Sequence, residues 1–124
     1  MRNALYFAAL LVVVVGIAHS WLGERYVLTR LFRRSDLPKL FGSTEFTTRT
    51  LRFAWHVTSI AWWGYAALLI LLANPPATPR SIGVVVGCTF LAHFALVLPA
   101  SRGRHLSWVA FLIIGVLAIY ATRG

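Results

Sequence analysis

The sequence predicts an all-α integral membrane protein: four transmembrane helices in an up-down bundle, with an amphipathic interfacial helix between helices 1 and 2. Three observations carry this. The chain is 59% hydrophobic and only 12% charged, with a mean hydropathy of +0.75. A soluble domain has about 25% charged residues, so this surface cannot be covered with polar groups. The apolar residues also fall into runs near the length of about 20 residues that spans a bilayer core. Finally, most connections between runs are short, which favours antiparallel neighbours. At 124 residues the chain is one domain, 1–124.

The first apolar run predicts a helix over about 3–22. Its flanks, Arg2 on one side and Ala18-His19-Ser20 on the other, also resemble a signal peptide, but its apolar core is long for one. Residues 23–50 form the long polar segment. Within it, Glu24–Arg34 sets Val27, Leu28, Leu31 and Phe32 between arginines, the pattern of a helix lying in the headgroup plane. Pro38 breaks it, because proline lacks an N–H and pushes Leu37 out of the α region. Ser43 or Thr44 is the natural N-cap for a second helix running to Ala73, with its membrane span at about 51–73. Asn74-Pro75-Pro76-Ala77-Thr78-Pro79 makes a stiff turn. The third span, about 80–100, contains Gly83-x-x-x-Gly87, small residues that allow close helix approach in lipid. That pair is the expected contact for a homo-oligomer or a larger membrane complex. The fourth span is about 105–122. The single Cys88 excludes a disulfide within the chain.

Charge sets the expected orientation. Of twelve Lys and Arg residues, nine fall on the side of the 23–50 and 101–104 loops, and three (Arg2, Arg80, Arg123) on the side of the termini. The positive-inside rule then places both termini outside and both basic loops in the cytoplasm, as in a bacterial-type inner membrane. Arg25, Arg30, Arg33, Arg34 and Lys39 are the candidate contacts to anionic lipid headgroups. The basic balance points to lipid, not nucleic acid, because the arginines sit between apolar runs.

Ionisable groups inside a membrane are costly and mark candidate sites. In this topology His19, His56 and His93 lie in one shallow layer near the cytoplasmic end of their helices, and His105 opens helix 4 on that side. The stretch Leu51–Gly64, LRFAWHVTSIAWWG, is one wall of this layer. Three readings follow. In the plainest, each histidine bonds a carbonyl or hydroxyl of a neighbouring helix, with Thr89 fixing His93 and His105 acting as a cap. In the second, paired imidazoles (His19 with His93, His56 with His105) ligate haem b. In the third, His56, His19 and Glu24 form a metal or proton site. The carboxylates Glu24, Asp36 and Glu45 are expected to pair with nearby arginines. No nucleophile–base dyad, phosphate loop or nucleotide fingerprint is legible. The expectation is a non-catalytic accessory or structural subunit of a membrane complex. The alternatives are a haem-b electron carrier and a small lipid- or metabolite-handling enzyme.

Overall fold

Backbone groups in long apolar runs must find their partners within the run, and helices do this. The computed structural model describes residues 1–124 and is all-helical, with no strand. Helix α1 covers Arg2–Leu31 in 30 residues. It is α-helical over Arg2–Leu22, π-helical over Gly23–Leu28 and α-helical again over Thr29–Leu31. The separate interfacial helix expected at Glu24–Arg34 is therefore not a separate element: its first residues prolong α1. Gly23 is the weakest helix former between Leu22 and Leu31, and one glycine costs only about 1 kcal/mol. The helix stops ahead of Ser35, Asp36 and Pro38.

Helix α2 spans Glu45–Ala73. Its first N–H, on Glu45, donates to Ser43 Oγ at 3.3 Å, while Thr44 offers no side-chain cap. Helix α3 spans Pro79–Ala100 and begins with a capping box between Thr78 and Ser81, with Pro79 at its first position. Pro99 sits in its last turn. Helix α4 spans Ser107–Ala121, only 15 residues. Helices α1, α2 and α3 are long and apolar enough to cross a membrane, whereas α4 is shorter.

Each helix packs on its neighbour in sequence. Tyr6 near the start of α1 donates to Asn74 beyond the end of α2 at 2.7 Å, so these two run antiparallel. Arg49 in α2 donates to the carbonyl of Ala100 at the end of α3 at 3.0 Å, which sets the same sense there. α1 packs on α2, α2 on α3 and α3 on α4, and no other pair of these helices is in contact. The helices form a row that is open between α1 and α4, where a closed bundle would join them. Gly83 and Gly87 do not form a free face for another chain. Gly83 lies against Thr122, and Gly87 against Gly115 and Ile119 of α4. The small residues let these two backbones approach within the chain. Because each helix has one or two neighbours, only 14 of 124 residues are buried, and large apolar side chains such as Phe7, Leu10, Ile113 and Leu117 point outward.

Candidate functional site

The antiparallel α1–α2 pair brings the end of α1 level with the early turns of α2. Gly16 and Gly23 of α1 make room for two indoles, Trp63 and Trp55. The Trp55 Nε1–H donates to the carbonyl of His19 at 2.9 Å, and the Trp63 Nε1–H donates to the carbonyl of Val13 at 3.3 Å. These bonds satisfy the polar tips of two otherwise apolar rings. The His19 ring stacks face to face on Trp55, with centroids 4.5 Å apart, and leans on Trp62 at 4.9 Å. Its Nε2 is buried without a partner.

Next to His19 on α1, Ser20 shares a face with Glu24, four residues on. Both turn to His56 of α2. The Ser20 hydroxyl lies 2.9 Å from Nδ1 of His56, and a Glu24 oxygen lies 3.3 Å from Nε2. The network continues at both ends. Ser20 Oγ donates to the buried Ser59 Oγ at 2.7 Å, and Arg52 pairs with the other Glu24 oxygen at 3.0 Å. Arg52 also lies over the Phe32 ring at 5.0 Å. The result is a continuous chain, Arg52–Glu24–His56–Ser20–Ser59. It includes a hydroxyl–imidazole dyad that is not legible as a sequence motif, because its two members come from different helices. The π-helical stretch begins at Gly23, between Ser20 and Glu24. Such irregular turns recur at functional positions of helices.

His56 also faces a half-open cavity of about 360 Å³ between α2 and α3. Arg49, Arg52 and Thr48 share this wall, with Phe53, Leu96 and Ala100 as its apolar part. Arg49 is held by Glu45 at 2.9 Å and by the Ala100 carbonyl, and Glu45 also receives Arg102 at 2.9 Å.

The other histidines go elsewhere. His93, 4% exposed, donates from Nε2 to the Val57 carbonyl of α2 at 3.1 Å. Its ring lies among Phe90 and Phe111, so it joins α2, α3 and α4. Thr89 does not reach it: the Thr89 hydroxyl donates to its own helix at the Val85 carbonyl, 2.8 Å away, and His93 Nδ1 has no partner. A threonine in mid-helix has this local alternative one turn back. His105 accepts from the Ser107 N–H at 3.4 Å, lies 2.8 Å from the Ser107 hydroxyl, and packs against Phe46 and Phe53. His19 and His93 therefore belong to different seams, on helices that do not touch. His56 is turned to α1 while His105 is turned to two phenylalanines of α2. This arrangement does not suit the axial pairs expected for haem b. No three His, Cys, Asp or Glu side chains converge as a metal set.

The carboxylates all find arginines, with Asp36 joined to Arg34 by two hydrogen bonds of 2.8 and 2.6 Å. Arg25 lies over the rings of Trp21 and Tyr26 at 5.7 Å, and Arg30, Arg33 and Lys39 are exposed without an ion pair.

No protein-family model matches the chain, and neither a curated protein nor a solved structure matches it.

Proposed function

We propose that the chain is a small multi-pass membrane protein that handles a lipid or polar metabolite at the cytoplasmic boundary of the bilayer, with His56 as its proton-transferring group. In this reading all four helices are embedded and both termini lie outside. The observation that carries it is the Arg52–Glu24–His56–Ser20–Ser59 chain, which ends on a cavity wall. An imidazole held on one nitrogen by a hydroxyl and on the other by a carboxylate is fixed in orientation and can relay a proton between the two. Ser20 and Glu24 are positioning residues, and Arg52 fixes Glu24. Exposed Arg30, Arg33 and Lys39 supply attraction to anionic lipid around the site.

The test is a comparison of lipid extracts and polar metabolites from cells lacking the protein, resupplied with wild type or with His56→Gln. Glutamine keeps a polar side chain but cannot shuttle a proton. The expected outcome is a changed profile that wild type corrects and the variant does not. Correction by the variant overturns the reading. A second reading, an accessory subunit of a larger complex, draws on the open row, whose outer helices α1 and α4 each have a flank without a helix neighbour. Copurification of one stoichiometric partner set from native membranes would favour it.

A further inference from the structure

We propose that the α2–α3 cavity is a phosphate site, taking either the headgroup of a lipid phosphate monoester or a free phosphate ester. This deepens, and rests on, the reading of His56 as a group that acts on a bound substrate.

Charge is the first support. Three guanidinium groups bear on the cavity: Arg49 and Arg52 line it, and Arg102 pairs with Glu45 of its wall. Only two carboxylates, Glu24 and Glu45, stand against them. One positive charge is left uncompensated. Free donors are the second support. An arginine carries five N–H bonds. Arg49 commits Nε to Glu45 and Nη1 to the Ala100 carbonyl, and Arg52 commits Nη2 to Glu24. Both keep further N–H groups on a shared wall with His56.

Shape is the third support. A tetrahedral phosphate presents three oxygens in different directions, so it can meet two guanidinium groups at different angles, while His56, held on both nitrogens from α1, borders the cavity without donating into it. A planar carboxylate has two oxygens in one plane and matches a single fork. The cavity of about 360 Å³ has room for the group and the start of its ester. Phe53 and Leu96 offer the apolar wall along which that ester carbon would lie. Glu45 and Glu24 each hold one edge of a guanidinium and so fix Arg49 and Arg52 at the cavity wall.

The full chain in phosphatidylcholine nanodiscs tests this with phenylglyoxal, which modifies accessible guanidinium groups, followed by peptide mass spectrometry. Inorganic phosphate is titrated at constant ionic strength in one arm. In the other, part of the phosphatidylcholine is replaced by phosphatidic acid. The expected result is a saturable, several-fold slowing at Arg49 and Arg52, with Arg80 at the opposite membrane end unaffected by free phosphate. Protection by phosphatidic acid alone identifies a lipid headgroup, and protection by inorganic phosphate identifies a soluble ester. If neither slows Arg49 or Arg52, the proposal is overturned. Arg49→Gln risks the fold, because Arg49 also holds α3, so the conservative Arg49→Lys is used. It keeps the charge but not the fork, and the phosphate concentration that half-protects Arg52 rises roughly tenfold. Loss of protection with His56→Gln still inactive leaves the proton-transfer reading standing and removes the ligand class. Protection with His56→Gln fully active does the reverse.

Discussion

His56 draws its orientation from two residues on another helix, and that makes Glu24 the residue whose loss is felt most widely. Glu24→Ala leaves both Arg52 and His56 without their carboxylate. Both ends of the ion pair are partly exposed, at 50% and 37% of the side chain, so water restores much of the loss. The expected destabilisation is about 1 kcal/mol, read as a lower thermal midpoint in detergent, whereas Glu24→Gln keeps one hydrogen bond and loses less. Ser59→Ala removes the far end of the chain at a position 1% exposed, and leaves Ser20 to bond His56 alone. It is expected to cost about 1 kcal/mol. In the loop, the bidentate Arg34 pair holds the Asp36 carboxyl below its ordinary value. A group with a depressed folded value contributes stability above its unfolded value and loses it as the pH falls through the folded one. Arg34 Nε–H signals in an NMR titration are therefore expected to keep their hydrogen-bonded shift through the usual carboxylate range and to lose it only in stronger acid. Loss well above that range would contradict the pairing.

At the scale of the helices, what was legible in the sequence was whatever depends on composition along one segment. The long apolar runs with Pro-rich or Arg–Gly breaks mark α2, α3 and α4, because a backbone in an apolar run has one good way to satisfy itself. The continuation of α1 through Gly23–Leu31 was not legible. Glycine followed by charged residues reads as a loop, and only packing against α2 reveals that Gly23 is small because the Trp55 indole lies on it. The site was half legible for the same reason. His56 stands out in its own run, and Glu24 was expected to pair with a nearby arginine, whereas its partner is Arg52 of α2. Ser20 carried no site role in the sequence, since nothing along one chain segment says which residue of the next helix it meets. The signal available was geometric: antiparallel neighbours set residues 20–24 level with 52–59. The glycines then give a direct test. Gly23→Ala puts a methyl group into the Trp55 ring and threatens its bond to the His19 carbonyl. Overpacking of this kind costs typically 1–3 kcal/mol, or about that range here. Gly16→Ala against Trp63 is expected to act similarly, and Trp fluorescence of the two variants would show the displaced indoles. Unchanged stability and emission in both would mean the seam is looser than described.

The whole molecule differs from a closed bundle in one respect, and it bears on function. Four helices in sequence order, each touching only the next, have two outer flanks. In a bundle, α1 and α4 would seal a central core and the histidines would share it. In an open row there is no common centre, so His19 and His56 stay in one seam while His93 stays in another. That is why a layer of histidines that looks shared in the sequence divides into separate environments in space. It is also why the candidate site lies at a seam end, where α2 and α3 part, and not in the middle. Disulfide scanning separates the two architectures. The exposed Cys88 is first replaced by serine. A Ser20→Cys and Ser59→Cys pair, whose hydroxyls lie 2.7 Å apart, has the reach of a disulfide and is expected to cross-link α1 to α2 in membranes. Pairs placed between the outward faces of α1 and α4, such as Leu10→Cys with Leu117→Cys, are expected to give no bridge within one chain. Efficient α1–α4 bridging in a monomer would close the row, bring the histidine layers together, and return a shared cofactor site to consideration. A bridge that forms only between two chains would instead show that a second copy covers the open flanks.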